Sequence, residues 1–411
     1  MTTQDQTMPS PLHLPAFSCA DTDLNRAYAT AFGDLAGNIV SGFGGLLNTP
    51  RHIIAAGLHY PTLWLRDASI NAWNAGSFVA PEAARDGLLA VVERKAEGYV
   101  LPHPDYYDGV VWICGAWHHA CVTGDSDFLK LAFDIARDVL ARFRREEFDA
   151  VKGLYRGGSH FNDGVSGYPA RYARPTGDWG NIRDWLQDNP LRAPLGGGLP
   201  MHCLSTNCLH VLGLDAAAAM AAALGSPDGA GWARQSQELR EAIRRHFWDE
   251  RSGRLSYLVD EEGRDDRQEI SGWAFACLAG VLDSAEQSRL AGQVERLVYG
   301  MPSLWPTYER YAAAGGLGRH SGLVWPHTLA FWGEACARRS DSDGLGRELR
   351  CLAKAALLIG NFTECWHPLS GQPHGGLQEK DYGSIRVWES LHRTTWGRRA
   401  SSGWCSMESR G

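Results

Sequence analysis

The chain has 411 residues, with 40 basic and 47 acidic side chains and a net charge of -7. That length allows a large core, and the lack of a basic tract argues against a nucleic-acid partner. The polar first ten residues lack the basic-then-apolar order of a signal peptide, and no apolar run suggests a membrane span. Ten cysteines are scattered without a Cys-x-x-Cys pair. They read as free thiols in a reducing, cytoplasmic compartment, with no structural zinc.

Residues 1–20 read as a proline-bearing, flexible lead-in. Asp21 or Thr22 caps a helix with Leu24, Tyr28, Phe32 and Leu35 on one face. A glycine-rich loop and a strand-like piece at 51–56 follow. The run Tyr60-Pro61-Thr62-Leu63-Trp64-Leu65-Arg66-Asp67-Ala68 then sets two charges among apolar residues at a helix start. Buried charges must be paired, so Arg66 and Asp67 are either a structural ion pair or a fork that grips sugar hydroxyls. Helices are expected at 67–79, 82–97 and 108–123. The third carries Trp112, Trp117, His118 and His119, and adjacent histidines diverge too far on a helix to share a metal. Asp125 or Ser126 caps the next helix, which runs to 147 with apolar positions on a 3.6-residue period.

The stretch 153–169 contains five glycines and reads as a loop. Within it Asp163 stands between Asn162 and Gly164. It is either an Asx-turn residue or a catalytic carboxylate on a loop held by a rigid scaffold. Residues 170–202 form a long irregular insertion with Trp179, and loops of that length are usually functional. Helices are expected at 204–224 and 229–248, then a hairpin at 248–257. Further helices are expected at 270–282, 284–299 (opened by Ser284 and Gln287 as a capping box), 325–338 and 343–359, with a last one from near Ile385. These twelve helices arrive in pairs. A weak repeat marks three helix exits: Phe148-Asp149 before Gly153, Trp248-Asp249 before Gly253, and Trp366-His367 before Gly371. Six helical hairpins bury their faces by closing into a ring. The expected fold is therefore all-α, an (α/α)6 toroid over 21–396 with long loops around a pocket.

Sixteen tryptophans stand out, many beside glycine, proline or polar residues. Indole faces stack on sugar rings, although for any single tryptophan a core position is the first reading. There is no G-x-S-x-G elbow, no phosphate-binding G-x-x-x-x-G-K-[ST] loop and no H-E-x-x-H, so neither cofactor nor metal is expected. Glycoside hydrolysis needs two carboxylates across the scissile bond. Asp163, Asp178, Asp184, Glu309, Glu364, Glu379 and Asp381 are the loop candidates. Of these Glu364, in Asn361-Phe362-Thr363-Glu364-Cys365-Trp366-His367-Pro368, best partners Asp163.

Trp64-Leu65-Arg66-Asp67-Ala68, the loop holding Asp163-Gly164, Val324-Trp325-Pro326, and Phe362-Thr363-Glu364 with Pro368 and Gly371 resemble the six-hairpin glycosidases. The nearest is glycoside hydrolase family 63 with its bacterial mannosylglycerate- and glucosylglycerate-hydrolase-like members. The resemblance spans about residues 60–396. It implies inverting hydrolysis of an α-glucoside or α-mannoside, with Asp163 as general acid and Glu364 as general base, about 6.5–9.5 Å apart to admit water. Tyr60, Trp64, Arg66, Asp67, Trp112, His160, Phe161, Tyr168, Trp179, Trp325, Trp366 and Gln378 make up the expected substrate-binding set for a small carbohydrate. The acid's usual Asp-Asn-Ser-Pro-like context departs here to Asp163-Gly164-Val165-Ser166. In place of the family's apolar closing helix, residues 397–411 show no helical stripe, which reads as a shift of frame after Trp396. Two other readings remain open: an epimerase or isomerase using His118, His202 and His327, and a carbohydrate-binding relative without turnover.

Overall fold

A computed structural model describes residues 15–57, 63–101, 108–162, 164–173, 181–182, 199–314, 316–380 and 384–388. Its helices are α1 (Thr22–Gly37), α2 (Leu65–Asn71), α3 (Ser77–Val79), α4 (Pro81–Ala90), α5 (Asp108–Thr123), α6 (Ser126–Glu146), α7 (Leu204–Leu224) and α8 (Gly229–Phe247). These are followed by α9 (Ile270–Leu278), α10 (Ser284–Gly292), α11 (Glu309–Ala313), α12 (Pro326–Arg338) and α13 (Ser342–Ile359). A π-helical turn, Ala72–Gly76, joins α2 to α3.

Two kinds of helix alternate. In α9 every residue is buried, and α5 and α7 bury residues all round. Helices α6, α8 and α13 carry one apolar stripe and a charged outer face, as helices that cover a core must. The apolar helices pack side by side in the order α2, α5, α7, α9, α12, while α6 packs on α5, α8 on α7 and α13 on α12. Helix α1 packs on α13. An inner ring inside an outer one is the (α/α)6 toroid. Helix α7 is long and apolar enough to cross a membrane by composition, contrary to the sequence expectation. Its buried side chains belong to this core.

Small two-stranded elements decorate the helix ends. Strands β1 (Ile39–Gly44) and β2 (Leu47–Ile54) form a hairpin against α4. The helix expected to run to residue 97 stops at Ala90. The chain then forms β3 (Glu93–Lys95) and β4 (Gly98–Val100), and Gly98 supplies the turn at a φ of +127° that side chains resist. The weak repeat is real geometry. Strands β5 (Phe148–Asp149) and β6 (Leu154–Tyr155) pair as β8 (Trp248–Asp249) and β9 (Arg254–Leu255) do. In each turn the aspartate accepts from the backbone N–H two residues on. At the third exit the His367 ring takes over, its Nδ1 accepting from Leu369 N.

Three further expectations shift. Helix α10 opens on a box made by Asp283 and Glu286, one residue earlier than expected, because each carboxylate accepts the other's backbone N–H. It ends at Gly292, and α9 ends at Leu278. No helix starts at Ile385. Instead β15 (Ser384–Val387), with β-branched Ile385 and Val387, pairs with β14 (Leu377–Lys380). The tail at 397–411 lies outside the described residues. The remaining strands are β7 (His202–Cys203), β10 (Leu258–Asp260), β11 (Gly263–Asp265), β12 (Gln268–Glu269) and β13 (Leu304–Trp305).

Candidate active site

The N-terminal ends of the inner helices converge on the glycine-rich stretch 157–168. From α2, Arg66 Nε donates to Asp108 Oδ1 at 3.0 Å, and Asp108 is the buried first residue of α5. His160 Nδ1 lies 3.7 Å from the same oxygen. From the start of α7, Ser205 Oγ accepts from His160 N at 3.1 Å. From the start of α12, Trp325 meets Phe161, ring centres 5.9 Å apart. Phe161 also joins an aromatic cluster between the inner helices. Phe161 contacts Phe275 of α9 and Phe331 of α12, and Trp73 contacts both of those.

The stretch is clamped on either side of position 163. Before it, Ser159 Oγ donates to Glu269, and Ser159 N donates to Tyr168 Oη at 2.7 Å. After it, Gly164 packs so tightly that a Cβ there would lie 2.2 Å from Gln378 Oε1. Arg310 Nη2 donates to the carbonyls of Val165 at 3.1 Å and Tyr168 at 2.8 Å, while its Nε holds Glu379 Oε1 at 2.7 Å. Tyr311 also donates to Glu379. Ser321 Oγ reaches Ser166 O, and Tyr257 Oη reaches Gly167 O.

Glu364 follows α13 in a segment fixed at two points. Phe362 N donates to Asp34 Oδ2 at 2.8 Å, and Trp366 exchanges backbone hydrogen bonds with Val324. The second tie places Glu364 beside the residues that lead into α12. Its Oε1 is 3.6 Å from His320 Nε2, and its side chain keeps 24% of its surface open to water. His320 holds a φ of +57°, uncommon for a residue with a side chain, and its ring lies on Trp325 at 4.5 Å. Phe161, Trp325 and His320 therefore form a continuous run of ring contacts from the neighbourhood of position 163 to Glu364.

The expected site residues divide clearly. Arg66, His160, Phe161, Tyr168, Trp325, Gln378 and Glu364 belong to the contacts just described, with half-buried Asp67 next to Arg66 and Trp64 exposed at 36%. Trp112 and Trp366 are core residues rather than sugar platforms. Both are buried, with indole N–H groups committed to Leu88 O at 2.9 Å and Tyr299 O at 2.8 Å. Tyr60, Asp163 and Trp179 lie outside the described residues, as do Asp178, Asp184 and Asp381. Glu379 is spent on Arg310 and Tyr311, and Glu309 opens the short helix α11.

Asp108, Glu269, Arg310 and His320 were not singled out from sequence. Asp108 and Glu269 look like ordinary helix-start acids, and only the fold shows them wholly enclosed. Burial pushes the Glu269 carboxyl up to about 7 even though Ser159, Ser205 and Ser271 bond its charged form. The three histidines of the epimerase reading lie in separate settings. His118 packs edge-on to Phe78, His202 lies 3.2 Å from Asp149, and His327 packs on Phe161 and Trp325. Among the described residues, no three His, Cys, Asp or Glu side chains stand together as metal ligands.

Comparison with known proteins places this geometry. In structure the chain is similar to a family 63 mannosylglycerate hydrolase from Thermus thermophilus, at 16% identity and a TM-score of 0.59, covering 86% of this chain and 96% of that one. It is similar to a family 78 rhamnosidase of Bacillus sp. GL1, at 17% identity and a TM-score of 0.58, over 85% of this chain and 32% of that one. It also resembles the neutral trehalase of Saccharomyces cerevisiae, at 12% identity and a TM-score of 0.54, over 87% and 78% of the two chains. At these identities the likeness speaks for the toroid alone, and no curated protein matches the sequence. The sequence does match the mannosylglycerate hydrolase MGH1-like glycoside hydrolase domain over residues 60–383, most of its length. The chain is thus a six-hairpin glycoside hydrolase and belongs to the MGH1-like family.

Proposed function

We propose that the protein hydrolyses a small α-glycoside, of α-mannoside or α-glucoside type, with inversion. Asp163 protonates the leaving oxygen and Glu364 activates the attacking water. Inversion needs the two carboxylates on opposite sides of the sugar with room for that water. The observation that carries the reading is the run of rings from Phe161, two residues before Asp163, through Trp325 and His320 to Glu364. It brings two segments about two hundred residues apart in sequence to one site. Partial exposure of Glu364 suits a base that must meet water, and half-buried Trp325 suits a stacking platform. Arg66 and Asp67 contact sugar hydroxyls in this reading. The mannosylglycerate hydrolase among the similar structures makes glycerate glycosides the first substrates to try. The described free thiols suit a reducing, cytoplasmic compartment.

The test is a panel of α-mannosides, α-glucosides and glycerate glycosides with Asp163→Asn and Glu364→Gln. Each variant should lose on the order of 10²–10⁴-fold in kcat. Full turnover in either overturns its assignment. A single isomerised product in place of two hydrolysis products would favour the epimerase reading.

A further inference from the structure

Glu269 has no solvent-exposed surface and no part in a two-carboxylate mechanism. Four other buried acids in the described structure are neutralised by arginine: Asp108 by Arg66, Asp260 by Arg171, Glu348 by Arg296 and Glu379 by Arg310. Glu269 has no basic partner among the described residues. Its oxygens receive Ser159 Oγ on one side and Ser205 N, at 3.1 Å, on the other. A Cβ on Gly272 would lie 2.3 Å from Oε2, so the carboxylate fills its niche. The titratable groups facing it are the Cys203 and Cys208 thiols and the Tyr257 phenol, all buried and held neutral. Burying a carboxylate without a counter-ion is costly, and a well-packed neutral residue would be cheaper.

The partners of Glu269 lead toward the site. With Glu269 ionised, Ser159 donates its only proton to the carboxylate, so its oxygen is left to accept. It accepts from Asn162 Nδ2 at 3.1 Å. That fixes which end of the Asn162 amide faces Ser159. The other end, Oδ1, is buried without a hydrogen-bond partner among the described residues. An acceptor enclosed in this way, on the residue before Asp163, calls for a donor that the described contacts do not supply. Ser205 adds a second strand to the tie through its bond from His160 N.

We infer that Glu269 is a positioning residue. Through Ser159 it sets the orientation of Asn162 and the placement of the loop that carries Asp163, so that Asn162 Oδ1 accepts a hydroxyl of the bound glycoside. The inference rests on the proposed acid role of Asp163. Glu269→Gln keeps the shape but puts an NH2 group against either the Ser159 hydroxyl or Ser205 N, and Ser159→Ala cuts the relay directly. With 4-nitrophenyl α-mannoside and α-glucoside as probes, each variant should lose at least tenfold in kcat at a KM within threefold. The double variant should be no worse than the weaker single, because the two act in series. Hydrogen exchange of peptides covering 157–168 should quicken at least tenfold in Glu269→Gln, with the helices unchanged, whether or not the probes turn over. Unchanged exchange in that loop, or losses that multiply in the double variant, overturns the inference. If Asp163→Asn is inactive while folded Glu269→Gln is fully active, the inference fails and the acid assignment stands. If Asp163→Asn is active, the acid assignment fails first.

Discussion

Glu269 also makes a prediction about stability that needs no substrate. Its carboxyl is pushed from an ordinary 4.5 up to about 7 by burial. The folded protein therefore holds this proton more tightly than the unfolded chain. The resulting stabilisation is fully present below about pH 4.5 and is lost as pH rises through about 7. The gap between the two values, at about 1.4 kcal/mol per tenfold change in proton affinity, amounts to roughly 3 kcal/mol. Glu269→Gln binds no proton and removes this slope. Buried His119 and His202, lowered to about 4, and His210, lowered to about 3, work in the opposite sense. They favour the neutral ring, so stability is lost as pH falls below the unfolded value. Because they are present in both proteins, they cancel in a difference. The assay is urea unfolding of wild type and Glu269→Gln at half-unit steps from pH 4.5 to 8. The advantage of wild type over the variant should shrink by roughly 3 kcal/mol across that range. Parallel curves would mean that the carboxyl titrates as an ordinary one and that the burial argument is wrong.

Other outcomes follow from single contacts. Arg310→Met strands Glu379 as a buried, uncompensated charge and should cost about 3–5 kcal/mol in urea unfolding, with a smaller cost, from the Val165 and Tyr168 carbonyls left without their donor, when Glu379→Gln is made alongside. Trp325→Ala removes the ring between Phe161 and His320 and should raise KM at least tenfold with a smaller change in kcat, read by initial rates. His320→Gly relieves a left-handed backbone worth on the order of 1 kcal/mol but empties the space of a buried ring, so its melting temperature should fall, by less than that of His320→Ala, while kcat falls about tenfold in both as Glu364 loses its neighbour.

The toroid was legible because its signals are local and repeated. Helices 108–123 and 204–224 ended where expected, and the glycine turns at 153 and 253 marked equivalent exits. The failures were also physical. Residues 91–100 continue a helical composition, but the turn at Gly98 lets Val100 pair with Glu93 and makes a hairpin of them. At Ile385 an antiparallel partner a short way upstream decided for strand. At the site, Glu364, Arg66 and Trp325 could be picked out by their settings. Trp112 and Trp366 could not be told from site residues, because an indole committed to a backbone carbonyl has no sequence mark. Asp108, Glu269 and Arg310 were missed for the same reason. Each owes its role to a partner 42 to 110 residues away.

Stereochemistry separates inversion from retention. Proton NMR of the first sugar released by the wild-type enzyme from an α-glycoside, recorded before the anomers equilibrate, reads it directly. The two-carboxylate arrangement with a water between predicts the β anomer first. An α anomer appearing first would contradict inversion and the assignment of Glu364 as base.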